Sequence, residues 1–229
     1  MTRAAMFAAV RPFAPGGRFT PEMVKAGDAF ADALGLPREE ARPFDGKITA
    51  RIAAELLAHE AIVLEAYLDS VKVWTWGVGV TNASGHDVYP RYKDNPQTVE
   101  KALEVYLWLL RAKYAPAVVE AFDGFPLTEE QYAAALSFHY NTGAIGRASW
   151  VKSVKAGKIE LARAEFMQWR RPAEIIPRRR AECALFFDGK WSADGTTTIW
   201  PVRKPSYSPD WSKGRKVNVM ADLEKALAS

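Results

Sequence analysis

The chain has 229 residues, of which 48% are apolar, and a formal net charge of +4. This apolar share is enough for a packed core and excludes a disordered chain, while the single cysteine, Cys183, excludes an internal disulfide. Cys183 stands among small apolar residues and is interpreted as a buried filler. The basic charge favours an acidic polymer as partner without identifying it.

The first residues carry an apolar run that could be mistaken for a targeting signal. The run covers only residues 4–10, which is far too short to span a membrane. Arg11 and Pro12 follow it with no small-residue cleavage motif. We therefore expect neither a stable membrane association nor a signal peptide.

Residues 1–45 are predicted to form a helical extension ahead of the main domain. Thr20 followed by Pro21 is typical of a helix N-cap and first helical residue. Pro37 and Pro43 are predicted to break the chain after that helix. Either wall binding or packing on the main domain is compatible with this extension.

A helix is predicted from about Ile48 to Glu60, because apolar residues recur there on one face. A carboxyl in the last turn of a helix faces the negative end of the macrodipole, which raises its pKa. A general acid must still hold its proton near neutral pH. Glu60 is therefore a candidate general acid.

Two strands are predicted after Glu60, over residues 62–69 and 74–80, with a polar turn between them. Residues of the second strand alternate between a bulky face and a nearly bare one, and the bare face carries Thr75, Gly77 and Gly79. A bare strand face lets a flat or ring-shaped ligand approach the backbone. Such a ligand would lie near Glu60 and Asp69, and two carboxyls flanking a sugar are the usual groups of glycoside hydrolysis.

Helical patterns dominate residues 95–189. A long helix is predicted after Pro96 from apolar spacing that continues to Tyr114. Thr128 and Gln131 form a capping-box pattern that starts another helix, which is predicted to run to about Tyr140. Three shorter helices are predicted over residues 148–156, 158–169 and 178–187.

Residues 190–229 are predicted to form a C-terminal extension. A hairpin turn is predicted at residues 191–196 with a strand returning over 197–200, and three prolines predict a stiff extended segment over 201–209. A short helix is predicted over residues 217–227. The Trp and Tyr residues of this extension could bind sugars by stacking, but packing on the main domain is favoured, because so much apolar surface is rarely left in water.

The spacing of these residues resembles the catalytic motif of the phage-type lysozymes, glycoside hydrolase family 24. In that motif an acid, here Glu60, is followed after eight residues by Asp69, after five more by Thr75, and then by Gly-x-Gly. A second run, Ser-Phe-His-Tyr-Asn-Thr-Gly at residues 137–143, and an Arg-rich segment ending in Ala-Leu-Phe at 178–186 are also similar to family members. The resemblance covers residues 46–189. It implies an α+β lysozyme-like fold, mostly helical, with a small antiparallel hairpin lobe beside the cleft.

The resemblance implies roles for individual residues. Glu60 would protonate the glycosidic oxygen, while Asp69 and Thr75 would position a water on the other face of the ring. Contacts with the saccharide are expected from four positions, namely Gly77, Gly79, Tyr140 and Ser153. An arginine of the run 178–180 is expected to pair with Glu60 and so to lower its pKa, which opposes the effect of the helix end.

One position departs from the family pattern. Many members have a histidine directly after Gly-x-Gly, where this chain has Val80. His86 could supply a similar polar contact, but an ordinary loop histidine is the favoured interpretation. The histidines His59, His86 and His139 show no zinc-ligand spacing, so neither a metal nor another cofactor is expected.

The resemblance implies an endolysin that hydrolyses the β-1,4 bond between N-acetylmuramic acid and N-acetylglucosamine in peptidoglycan, with inversion. Such an enzyme, expected to be a monomer, would be made in the host cytoplasm and reach the wall through a holin-type pore. One alternative is a lytic transglycosylase acting on the same bond, and another is a non-catalytic wall-binding or virion protein. Nucleic acid is not expected as a partner, because the basic residues are scattered and no reading module is present.

Overall fold

The computed structural model describes residues 3–17, 19–36 and 44–228 of the chain. Its contacts divide the chain into two compact units, Met1–Pro43 and Phe44–Ser229. The predicted separation of residues 190–229 from the main domain stays a prediction, although the contacts group these residues with the larger unit.

The first unit contains two helices, α1 (Arg3–Val10) and α2 (Pro21–Ala33). The predicted start of α2 is confirmed, because the Thr20 side chain accepts a hydrogen bond from the Met23 amide. The Arg3 side chain ties the two helices together through Asp28 and Asp32. The predicted break at Pro37 and Pro43 lies outside the described residues.

The second unit begins with helix α3 (Ala50–Leu57) and a three-stranded antiparallel sheet. Its strands are β1 (Val63–Leu68), β2 (Trp74–Gly77) and β3 (Val80–Thr81). The predicted single strand over 74–80 is wrong, because the chain turns between β2 and β3. Gly77 and Gly79 have φ values of 61° and 67° there, which glycine adopts without steric cost.

The rest of the lobe is helical. Helix α4 (Val99–Leu109), a π-helical turn (Leu110–Tyr114) and helix α5 (Ala115–Phe122) follow each other without a break. Helix α6 (Glu129–Thr142) starts at the predicted capping box of Thr128 and Gln131. Helices α7 (Ser149–Lys155), α8 (Ile159–Phe166) and α9 (Ile176–Asp188) complete the lobe, and α6 packs against α9. The α+β class predicted from the sequence is confirmed.

The C-terminal segment forms strands and one helix, α10 (Met220–Ala228). Strand β4 (Thr196–Ile199) pairs with β7 (Arg215–Asn218), so the hairpin predicted to turn at residues 191–196 is wrong. The prolines do not hold an extended segment either, because β5 (Val202–Arg203) and β6 (Ser208–Pro209) pair with each other. The physical reason is that β7, the partner of β4, follows these prolines in the chain, so residues next to β4 carry no sequence signal of the pairing.

The C-terminal segment packs on the main domain, as predicted. Ile199, Val219 and Leu223 belong to the same buried cluster as the side chains of the helical lobe. The backbone of Trp200 donates to the Ile62 carbonyl at 2.8 Å. This burial ties the segment to the α3–β1 region that carries the candidate site.

Glu55 on α3 is the main polar anchor of this segment. Its side chain is 2% exposed, and its carboxylate accepts hydrogen bonds from the backbone and hydroxyl of Ser192 and from the Ala193 amide. Hydrogen bonds to a charged acceptor contribute about 1.5–3 kcal/mol each, and buried donors that lose their acceptor are costly.

We expect Glu55→Ala to lower the free energy of unfolding by about 3 kcal/mol, because these donors then lack an acceptor. Urea unfolding followed by tryptophan fluorescence measures the change. Glu104→Ala is the matched control, since Glu104 forms only an exposed pair with Lys101, a kind worth about 0–1 kcal/mol. A loss no larger than that of the control would contradict this assignment.

Candidate active site

Glu60 lies on the turn directly after α3 rather than inside the helix. Helix α3 ends at Leu57, three residues before the predicted end. The amides of His59 and Glu60 donate to the carbonyls of Leu56 and Leu57, three residues back, and this tighter pattern closes the helix. Glu60 therefore follows the carbonyl end of α3 at once.

Arg178 on α9 pairs with Glu60. The Nη1 atom of Arg178 lies 2.5 Å from Oε1 of Glu60. The side chains of Arg178 and Glu60 are 8% and 22% exposed, so the carboxyl keeps a small opening to solvent. The expected pairing of Glu60 with an arginine of the run 178–180 is thus present in the structure.

A second carboxylate, that of Glu182, also pairs with Arg178. Glu182, 2% exposed, accepts from Nε of Arg178 at 2.9 Å and from the Ser137 hydroxyl at 2.6 Å, and it also pairs with Arg179. Arg179 in turn donates to the Asn141 side chain at 2.7 Å. Charges alternate along the line of Glu60, Arg178, Glu182 and Arg179, so each buried charge has an opposite neighbour.

Burial raises the pKa of Glu60 above its usual value, while the charge and hydrogen bond of Arg178 lower it, and the negative charge of Glu182 raises it. The net direction is upward. The sequence left open whether the arginine would override the effect of the helix end. In the structure the upward shift prevails, but its main cause is desolvation.

Four tyrosine side chains surround Glu60. They are Tyr67, Tyr106, Tyr114 and Tyr140. In each of them burial is the main cause of a raised pKa, and the negative charge of Glu60 raises the pKa further. The rings of Tyr114 and Tyr140 lie 4.6 Å apart. A carboxyl enclosed by phenol rings is poorly hydrated, which explains its desolvation.

Tyr67 connects Glu60 with Asp69. The pKa of Tyr67 is raised to about 12 by burial and by the negative charges of Asp69 and Glu60. Tyr67 is paired with Thr75 across β1 and β2, and Asp69 follows Tyr67 by two residues. In an extended ladder these positions share one face, so Tyr67, Asp69 and Thr75 point the same way.

Asp69 closes the hairpin and keeps one oxygen free. Its Oδ1 atom accepts from the amides of Val71 and Val73 at 2.9 and 2.8 Å. Its Oδ2 atom has no hydrogen-bond partner within the described part of the chain. The Thr75 hydroxyl donates to the Val73 carbonyl at 3.1 Å and keeps its acceptor capacity. Asp69 can therefore bind a water, and Thr75, which is 4% exposed, keeps an acceptor for one.

Of the four predicted saccharide contacts, Gly79 and the Tyr140 hydroxyl meet at the turn between β2 and β3. The Tyr140 hydroxyl donates to the Val78 carbonyl at 2.5 Å, and a Cβ at Gly79 would lie 3.4 Å from that hydroxyl. Gly77 is buried, with Ala102 as its neighbour. Ser153 donates to Glu165 at 2.7 Å within the α7–α8 pair, and its described contacts do not connect it with the other predicted site residues.

The remaining predicted polar residues have structural contacts. His86 lies in a loop, as favoured, and its ring bonds the Tyr92 hydroxyl at 2.8 Å. Cys183 is buried and its pKa is raised by burial, which confirms the filler interpretation. Among residues 3–17, 19–36 and 44–228 no group of His, Cys, Asp and Glu side chains is arranged to hold a metal ion.

A cavity of about 570 Å³ lies beside the arginine network. It is lined by Arg179 and Trp169 together with Asn141, Arg147 and Arg171, among others. Glu60, Asp69 and Thr75 do not line it. We locate the candidate chemistry at Glu60 and Asp69, because the charges of both carboxylates act on Tyr67.

Sequence reasoning missed Tyr67 and Glu182. Tyr67 was treated only as part of a strand, although its position two residues before Asp69 places both on one face. Glu182 follows Arg178 by four residues, a helical spacing that brings opposite charges together. That spacing was the available signal.

We expect Glu182→Gln to lower the pKa of Glu60. Two causes act in the same direction, because the negative charge of Glu182 is removed and Arg178 then acts more fully on Glu60. A carboxyl-carbon NMR titration measures this pKa, and a dispersed amide spectrum reports the fold. Glu165→Gln is the control, since Glu165 is bonded to Ser153 outside the network. An unchanged or higher pKa of Glu60 would contradict the role of Glu182.

Comparison with known proteins identifies the family of this chain. Residues 57–182, more than half of the chain, match the family model described as phage lysozyme. An endolysin from the Escherichia coli O157:H7 phage FAHEc1 is 24% identical, with a TM-score of 0.57, over 66% of this chain and 99% of that one. A P22 lysozyme mutant is 26% identical, with a TM-score of 0.51, over 61% of this chain and 97% of that one. No curated protein matches the chain.

Proposed function

This chain belongs to the phage lysozyme family, and from that premise we propose that it hydrolyses the β-1,4 bond between N-acetylmuramic acid and N-acetylglucosamine. Membership makes it a glycoside hydrolase with peptidoglycan as its substrate class. The particular bond and the residue roles are proposals, supported by the geometry around Glu60.

Glu60 is proposed as the general acid that protonates the leaving glycosidic oxygen. The observation that carries this assignment is its enclosure by tyrosine rings and Arg178, which leaves a net raised pKa. A raised pKa keeps the proton on the carboxyl to a higher pH than in an exposed glutamate, as a general acid requires. Arg178 limits this upward shift and holds the carboxyl in one position.

Asp69 and Thr75 are proposed to position the attacking water. The free Oδ2 atom of Asp69 can accept a proton from that water, and the Thr75 hydroxyl can accept a hydrogen bond from it. A water between the two carboxyls gives inversion at the anomeric carbon. Tyr67 is close enough to both Glu60 and Asp69 for their charges to raise its pKa, and it is proposed to line the sugar subsite.

Saccharide contacts are proposed at Gly77, Gly79, Tyr140 and Ser153. Exposed Gly79 supports this assignment best, because no side chain separates its backbone from a ligand. Tyr140 is half-buried and close enough to Glu60 for its pKa to be raised by that charge. Gly77 and Ser153 are buried, so a saccharide could contact them only after the residues that cover them move.

The remaining proposals concern the whole enzyme. We assign catalysis to residues 46–189 and treat residues 1–45 and 190–229 as extensions. No helix in the described ranges is long and apolar enough to cross a bilayer. We propose a monomer that is made in the host cytoplasm and reaches the wall through a holin-type pore.

Digestion of purified peptidoglycan tests the reaction. We expect new reducing ends of N-acetylmuramic acid with inverted anomeric configuration, identified by mass and by NMR immediately after cleavage. Anhydro-muramyl ends would instead identify a lytic transglycosylase. Binding to peptidoglycan with no new ends would leave a non-catalytic wall protein.

A further inference from the structure

A second cavity, of about 440 Å³, lies between β1 and the C-terminal segment. Its lining includes Leu64 and Glu65 from β1, and Trp200, Lys213 and Arg215 from the segment. The family model ends at residue 182, so the C-terminal part of this lining is outside the matched region. This volume falls within the range of small-molecule sites.

Trp200 lines this cavity, and the exposed Trp211 packs against it. Trp211 is 60% exposed, and its ring meets the ring of Trp200 edge to face at 5.1 Å. A Cβ at Gly214 would lie 2.5 Å from the Trp200 ring, so only glycine permits this close approach of the loop. Trp200 is therefore closely packed, while Trp211 leaves a large apolar ring in water.

The surroundings of the aromatic pair are basic. Residues 190–229 contain seven Lys and Arg against four Asp and Glu, which is most of the net charge of the chain. Nearby acids are already paired, Glu65 with Lys204 and Asp210 with Arg203. Arg215 forms no ion pair with any residue that the structure describes. The cavity thus offers an unpaired positive charge beside exposed aromatic surface.

Peptidoglycan combines the two properties that this surface complements. The faces of its sugar rings are apolar enough to pack on indole, and the lactyl-linked peptides carry carboxylates that attract Arg215 and Lys213. Glu65 lies on β1 and Asp69 directly follows this strand, so the four residue steps between them span at most about 13 Å. A long polymer can therefore reach this cavity and the candidate active site together.

We propose that the cavity lined by Trp200, together with the adjacent Trp211, is a second binding site for peptidoglycan glycan strands, an inference that rests on the proposed function. It holds the polymer next to the catalytic hairpin. Two linked contacts raise the apparent affinity for the intact wall without changing the chemistry. Short fragments that fill only the active site gain nothing from it.

Sedimentation with purified peptidoglycan tests the site, in the Glu60→Gln background so that the wall is not degraded. We expect Trp211→Ala to weaken binding by roughly tenfold, as for an aromatic residue central to an interface. The double change Lys213→Gln and Arg215→Gln should weaken binding and reduce its salt dependence. Trp108→Ala is the matched control, because Trp108 is 39% exposed and does not line this cavity.

Activity measurements separate this site from the proposed function. With Glu60 intact, Trp211→Ala should slow wall clearing and leave hydrolysis of a short soluble fragment unchanged. Wild-type binding by both the Trp211 and the double variants, with thermal unfolding unchanged, would overturn the second site and leave the hydrolase intact. Wild-type clearing by Glu60→Gln would overturn the proposed function instead. Tighter binding of duplex DNA than of peptidoglycan through these residues would overturn the glycan assignment.

Discussion

Glu60→Gln is expected to abolish clearing of purified peptidoglycan while the protein stays folded. Removal of a general acid costs about 10²–10⁴-fold in rate, and this carboxyl has Arg178 and a tyrosine enclosure arranged around it. Glutamine has the same shape, and its amide oxygen can still accept from Arg178. Turbidity loss and the release of reducing ends measure the effect.

The fold is measured separately from the rate. The folded protein raises the pKa of Glu60, so it loses stability as pH rises through the range in which Glu60 ionises. The Gln variant has no such loss, and its melting temperature at neutral pH should equal or exceed that of the wild type. This difference should shrink as pH falls and vanish at about pH 3 and below, where both unfolded chains are neutral at this position.

Glu104→Gln serves as the control for activity, because Glu104 is an exposed glutamate of α4 outside the arginine network. It should clear the wall at the wild-type rate. Wild-type clearing by Glu60→Gln, in a protein that melts normally, would remove Glu60 from the mechanism.

Local signals in the sequence were enough for most elements. The capping box at Thr128 and the N-cap at Thr20 depend on residues within three positions, and the structure forms both. The helix and strand patterns around the acid motif indicated α3 and the β1–β2 hairpin, although α3 ends three residues earlier than predicted. Such features need no knowledge of distant partners.

The parts that failed depend on distant partners. Strand β4 pairs with β7, and the ladder of β5 and β6 lies between them in the chain. No local sequence pattern predicts a pairing between such distant segments. The net direction of the pKa shift of Glu60 could not be predicted from the sequence either. It requires the burial created by tyrosines from β1, α4, the π-helical turn and α6, which only the folded chain brings together.

The π-helical turn shows how small a deviation can matter. It lies where Tyr114 meets Tyr140, and one extra residue per turn changes which side chains face the site beyond it. Apolar spacing predicted the helix through Tyr114 without this turn. Helix periodicity alone therefore could not assign Tyr114 to the enclosure of Glu60.

Asp69→Asn separates hydrolysis from the transglycosylase alternative, and we expect a loss of about 10²–10⁴-fold in kcat/KM. The asparagine oxygen can keep both amide bonds to Val71 and Val73, so the hairpin should persist. Its amide nitrogen cannot accept a proton from water, so activation of the nucleophile fails. Asp87→Asn, a change at an exposed loop position of the same lobe, should leave the rate unchanged. A lytic transglycosylase needs only one acid, so full activity of Asp69→Asn with anhydro-muramyl products would transfer the chemistry to Glu60 alone.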